Sequence, residues 1–134
     1  SFYLSNTSSI HKMMIHESDS LFLSAAQVKA LRSADSVFSA RVRALYVPLG
    51  EFLASTGGIA GKAQLDSVQS TQKKYWAVFW EQPEIAAAIV TPAQRQLMPM
   101  FESMLATPMD DRKNSQWQFG YPITFVDKPG VPIR

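Results

Sequence analysis

The sequence contains no cysteine. That excludes disulfides, zinc–thiolate and iron–sulfur sites and thiol nucleophiles together, and it suits an oxidising compartment. Histidine is almost missing as well: only His11 and His16 occur, so a Ser-His-acid site would have to draw on one short segment. Glycine is scarce, at 6 of 134 residues. Gly57, Gly58 and Gly61 follow a helical pattern instead of a strand and lack the Lys-Ser/Thr of a phosphate-cradling loop. Charge is low and balanced: 13 basic and 11 acidic residues give a net +2. They are spread along the chain, whereas a nucleic-acid footprint needs a clustered basic face. No run approaches the about 18 uncharged apolar residues of a membrane span. The chain starts at Ser1 without a basic-then-apolar leader, which leads us to expect a processed chain or a piece of a longer one.

What is present is apolar and periodic. Hydrophobic residues make up 46% of the 134, enough for one domain with a real core. Asn6 to Glu17 reads as a short helix capped by Asn6 or Thr7, with Ile10, Met13, Met14 and Glu17 at helical steps. Leu21-Phe22-Leu23 is an apolar lead-in to Ser24-Ala25-Ala26-Gln27. There the serine hydroxyl and the glutamine amide can satisfy each other's free backbone N–H, which is a capping box. Val28, Leu31, Asp35, Phe38, Val42, Leu45, Leu49 and Phe52 then form a heptad seam. A helix from Ala25 to Ser55 would be roughly 45 Å long and kinked at Pro48.

Thr56-Gly57-Gly58-Ile59-Ala60-Gly61 is a helix stop and a short connection. A return helix over Lys62–Gln82 carries Leu65, Val68, Gln72, Tyr75 and Phe79. Antiparallel pairing sets Leu49 against Val68, Val42 against Tyr75 and Phe38 against Phe79, and it brings Asp35 to the amide of Gln82. Pro83 ends that helix or starts another turn. Thr91-Pro92-Ala93-Gln94 is a second capping box with proline at the first helical position. Its helix carries Leu97, Phe101, Met104 and Leu105, with Pro99 expected as an internal kink, and Thr107-Pro108 closes it.

The expected fold class is all-α: a long kinked antiparallel hairpin with additional short helices, resembling a four-helix bundle, over residues 1–108. Residues 109–134 are expected as an extended arm, because Trp117, Phe119, Tyr121, Ile123 and Phe125 alternate at period two. Prolines at 122, 129 and 132 argue against a central strand.

Two segments are candidates for chemistry. In His11-Lys12-Met13-Met14-Ile15-His16-Glu17, imidazoles and thioethers suit copper or nickel, yet His11 and His16 stand about 140° apart on a helix. A mononuclear site is therefore disfavoured, and methionines filling a core with histidines at its edge is the simpler reading. The carboxylates Asp35, Glu51, Asp66, Glu81, Glu84 and Glu102 form no local pair beyond Asp110-Asp111. No enzyme, cofactor or metal site is expected from them. The second segment is aromatic. Tyr75, Trp76, Phe79 and Trp80 span more than one face of the return helix, and with Trp117, Phe119, Tyr121 and Phe125 of the arm they are the expected partner-binding residues. Lys29, Arg32 and Arg43 flank the seam as a solvated rim.

Leu23-Ser24-Ala25-Ala26-Gln27 opening a long helix, and Val90-Thr91-Pro92-Ala93-Gln94-Arg95 opening a later one, resemble the paired motifs of the LTxxQ-type envelope proteins, the Spy/CpxP group. The order is also similar to helical extensions of some TonB-dependent outer-membrane receptors, with Asp35-Ser36 matching an Asp-Ser helix between the two. The resemblance covers about residues 6–106. It implies a periplasmic or cell-envelope helical hairpin, non-enzymatic and often dimeric, with protein partners or copies of itself, and a chaperone-like, stress-sensing or receptor-extension role. It also implies association with the outer membrane for a receptor extension. A metal- or small-molecule-responsive sensor is the alternative. Ser24 replaces the motif's threonine, Pro48 and Pro99 interrupt helices that are more regular in the chaperones, and this chain is less basic than they are.

Overall fold

Only helices connected by turns occur among the residues that the computed structural model describes, 9–57 and 61–114. In chain order they are α1 (Ile10–His16), α2 (Ala25–Ser55), α3 (Lys62–Phe79), α4 (Gln82–Ile89), α5 (Pro92–Arg95), α6 (Pro99–Ala106) and α7 (Met109–Asn114). The all-α expectation is met, and none of these helices is long and apolar enough to cross a membrane.

The hairpin of α2 and α3 is the frame. Helix α2 starts on the Ser24–Gln27 capping box and continues through Pro48 to Ser55. Thr56 closes it, its hydroxyl donating to the Phe52 carbonyl, and Gly57 follows in the left-handed region at φ 79°, which only glycine adopts without strain. Phe38 meets Phe79 across the hairpin, with ring centroids 6.5 Å apart. That is the pairing the sequence predicts.

Burial is unevenly shared along this frame. The buried residues of α2 are Leu31, Phe38 and Val42, and those of α3 are Tyr75 and Phe79. All lie at the open end of the hairpin, where α1 packs on α2 and α4, α4 packs on α2, and α6 packs on α4. Ile10, Met14, Leu21, Trp80, Ala86, Val90, Phe101 and Met104 complete the core there. Towards the tip, Leu45, Leu49, Phe52 and Val68 are only partly buried and Leu65 is exposed.

Several boundaries differ from expectation, each for a local reason. Helix α1 is capped by Ser9, whose hydroxyl accepts from the Lys12 amide, while Asn6 and Thr7 lie outside the described residues. The same hydroxyl donates to Asp35. The seam acid is therefore satisfied by Ser9, with Lys12 3.9 Å away, and not by Gln82. The Gln82 amide instead takes the Ile10 backbone N–H at 2.8 Å and donates to the Phe79 carbonyl. Helix α3 stops at Phe79, and Pro83 sits in the first turn of α4, where its missing N–H costs nothing. Pro99 kinks no helix: the chain breaks after α5, and Pro99 opens α6. The segment from Met109 begins as helix α7 and not as extended chain. Its Arg112 is buried and pairs with both oxygens of Glu84 at 3.0 and 2.6 Å. The arm residues from 115 onward, with Trp117, Phe119, Tyr121 and Phe125, lie outside the described residues.

The turn into α2 contains one backbone outlier. Phe22 has φ 56°. The Leu23 amide donates to the Ser18 carbonyl and the Phe22 amide to that of Asp19, the paired bonds of a Schellman motif with Phe22 in the seat that glycine or asparagine normally takes. A Cβ there costs about 1–2 kcal/mol, and at 76% exposure the ring returns little of it. Phe22→Asn is therefore expected to raise stability by up to about 1 kcal/mol, read as a higher urea midpoint at unchanged slope. A lower midpoint would mean that the ring holds the turn.

Candidate functional site

The two capping boxes are joined in space. In each box the glutamine oxygen accepts from the backbone of its own cap: Ser24 N–H to Gln27 Oε1 at 2.9 Å, and Thr91 N–H to Gln94 Oε1 at 2.8 Å. The two amides also bond each other reciprocally, Gln27 Nε2 to Gln94 Oε1 at 2.8 Å and Gln94 Nε2 to Gln27 Oε1 at 3.0 Å. The remaining N–H of each reaches the residue two before the other cap, Gln27 to the Ile89 carbonyl at 3.1 Å and Gln94 to the Phe22 carbonyl at 3.0 Å. Every donor and acceptor of both amides is used, and the arrangement is a local two-fold of one motif about the other. It fastens the start of α2 to the α4–α5 junction. The strained Phe22 backbone presents one of its carbonyls.

The expected aromatic binding face is mostly core. Tyr75, Phe79 and Trp80 are buried and Trp76 is partly buried. They pack edge-on, with Tyr75–Trp76 centroids 4.9 Å apart, Trp76–Phe79 5.0 Å and Phe79–Trp80 5.1 Å. The surplus width of aromatic surface on α3 meets the rest of the helical core, which periodicity of one helix cannot reveal.

Along α1 the alternation is as helical geometry requires. His11 and Met14 are buried, whereas Met13 and His16 face solvent, so the two histidines do not share a ligand face. Among the described residues no three histidines or carboxylates converge as a metal site. His11 is fully buried, and neither ring nitrogen has a hydrogen-bond partner among the described residues. It forms part of the wall of a pocket of about 200 Å³ between α1, α2, α3 and α4.

Burial lowers the pKa of His11 below its ordinary value, outweighing the nearby Asp35 carboxylate, which pulls the other way. Arg41 and Glu81 line the same pocket but form an ion pair with each other. The consequence for stability has a definite sign. Above about pH 6.5 the imidazole is neutral both folded and unfolded and contributes no slope. Below it the unfolded chain takes a proton that the folded chain refuses, so stability falls by at most about 1.4 kcal/mol per pH unit until the folded pKa is passed. Urea midpoints taken from about pH 8 down to pH 5 should show this decline, and His11→Gln should flatten it. An equal decline in the variant would assign the slope elsewhere.

A second cavity, about 540 Å³, is an open groove at the hairpin tip. Its floor is Leu45, Pro48, Leu49 and Phe52 of α2, and its α3 rim carries Asp66, Ser70 and Lys74. Basic residues Lys29, Arg32 and Arg43 stand exposed on α2.

No protein-family profile, curated protein or solved structure matches the chain.

Proposed function

We propose that this chain is a non-catalytic helical module of the cell envelope, of the LTxxQ type, that works by protein–protein contact, and that its contact at the hairpin tip is with a second copy of itself. The envelope assignment rests on the resemblance of the two motifs, and the joined amides of Gln27 and Gln94 support it by giving both motifs one shared structural task.

The observation that carries the contact is the tip groove. Pro48, Leu49 and Phe52 offer an apolar floor that the two-helix end of the hairpin leaves partly open. Along its rim, Asp66, Ser70 and Lys74 recur at four-residue steps and so share one stripe of α3. A two-fold axis through Ser70 sets Asp66 of each copy against Lys74 of the other, with the small serine allowing close approach. That is the self-complementarity an isologous dimer requires. The existing pairing of Asp66 with Lys62 lies at the surface and offers little resistance.

Sedimentation equilibrium over a wide concentration range tests this. The chain should show a reversible monomer–dimer equilibrium. Lys74→Asp should weaken it, and Asp66→Lys combined with Lys74→Asp should restore it. A strictly monomeric chain, or a double variant no better than the single one, overturns the proposal. The first result would leave the groove to another protein or to the arm.

A further inference from the structure

Helix α1 is a short element laid back over the hairpin. It is seven residues long and packs on α2 and α4, and its buried residues are Ile10, His11 and Met14. The first and last are apolar. The second is an imidazole with no exposed surface and no hydrogen-bond partner for either nitrogen among the described residues. It stands at the second position after the Ser9 cap, where free N–H groups and the helix dipole disfavour positive charge. Asp35 of α2 attracts a proton on His11, but its carboxylate already takes the Ser9 hydroxyl and lies 3.9 Å from the Lys12 ammonium. Arg41 of α2 and Glu81, just before α4, pair with each other. Within α4, Glu84 is held by Arg112, and Gln82 carries no charge. Lys12, His16 and Glu17 along α1 itself are exposed. Among the described residues, no free carboxylate is placed to receive an imidazolium while α1 is docked.

The limits of the part that could move are also built in. The clasp holds the chain from residue 22 onward, since Gln94 Nε2 donates to the Phe22 carbonyl and Gln27 Nε2 to Gln94. The turn before it folds α1 back, through the Leu23 to Ser18 and Phe22 to Asp19 backbone bonds around the left-handed Phe22. That backbone is strained for a residue with a Cβ, so opening the turn relieves strain. Beyond the turn, the polar fastenings of α1 are at its start, Ile10 N–H to Gln82 and Ser9 to Asp35. The contacts that hold the frame run between other elements: Phe38 with Phe79, Gln27 with Gln94, Arg112 with Glu84. We propose that α1 is an acid-released latch: protonation of His11 lifts residues 9–17 off α2 and α4 about the turn ending at Phe22, while the hairpin and the clasp stay folded. Release uncovers the faces of α2 and α4 on which Ile10, His11 and Met14 rest. The latch is independent of the dimer proposed above, whose contact lies at the hairpin tip.

Native-state hydrogen exchange of the full chain tests this, read by NMR as protection factors from about pH 7.5 to about pH 5. In the open state His11 titrates near its ordinary value of about 6.5, and in the docked state burial holds it lower. The open population is therefore flat above that pH and rises by up to about tenfold per pH unit below it. The Met14 and Ile15 amides should lose protection on this profile, through an opening of small area that low urea promotes only weakly. The Val42 and Phe79 amides should stay at least about tenfold better protected and exchange through the urea-sensitive global unfolding. His11→Leu should keep α1 docked and remove its acid profile, while His16→Gln should leave the profile unchanged. Phe22→Asn, which relaxes the turn in the docked state, should slow α1 exchange about fivefold at every pH. Equal protection and equal urea dependence in α1 and the frame would mean global unfolding and overturn the latch. An acid profile that survives His11→Leu would do the same, and unchanged α1 exchange in Phe22→Asn would remove the turn as its hinge.

Discussion

Phe79→Ala is expected to lower the unfolding free energy by about 3–5 kcal/mol, the range for deleting a fully buried aromatic ring. Phe79 is 1% exposed and is the shared member of the aromatic cluster. Its ring centroid lies 5.0 Å from that of Trp76, 5.1 Å from that of Trp80 and 6.5 Å from that of Phe38. Truncation loses the transfer energy of the ring and also leaves a cavity that the surrounding core closes only in part. Domains of this size are stable by only about 5–15 kcal/mol, so the variant should sit near the edge of folding. Phe22→Ala is the control: that ring is solvent-exposed, and its loss should change stability by less than about 0.5 kcal/mol. Both are to be measured by urea denaturation followed through far-ultraviolet circular dichroism, which avoids the fluorescence of the neighbouring tryptophans. Comparable small effects from the two substitutions would mean that the aromatic cluster is a recognition surface and not core.

That comparison also marks where the sequence stops being informative. Local signals were legible: both capping boxes, the stop at Thr56-Gly57, the heptad seam and the Phe38–Phe79 pairing all follow from spacing within one hairpin. Signals that depend on a third element were not. Asp35 was expected to reach Gln82 because the two-helix register brings them together, but the Ser9 hydroxyl from α1 occupies the acid first. Pro99 reads as a kink only if α5 and α6 are one helix, and the break at Gln96–Met98 turns it into a helix start. Nothing local to Arg112 announces its partner, Glu84, 28 positions away. The His11 pocket is the extreme case. A histidine on the apolar side of a short helix reads as an edge residue, and only the packing of α1 against α2 and α4 shows that the ring is enclosed, with no hydrogen-bond partner among the described residues.

Gln27→Glu is the most discriminating substitution, and it should cost about 1–3 kcal/mol although it leaves the helix start intact. A capping box works equally with glutamate or glutamine, since it needs only an acceptor for the cap backbone N–H. The contact between the boxes needs more. The Gln27 Nε2 donates to both Gln94 Oε1 and the Ile89 carbonyl, and a carboxylate at that position sets acceptor against acceptor at both. Gln94, only 9% exposed, could not turn to water without abandoning Thr91. Removing either amide altogether breaks the same network, so Gln27→Ala and Gln94→Ala should each cost about 2–3 kcal/mol. The double variant should cost less than their sum by about 1–3 kcal/mol, the coupling expected of residues in one hydrogen-bonded unit. Additive losses, or a Gln27→Glu variant as stable as the parent, would mean that the boxes act as two independent caps. The paired motif would then be a repeated way of starting a helix. Coupling would make it one device that sets where the second half of the chain docks on the first.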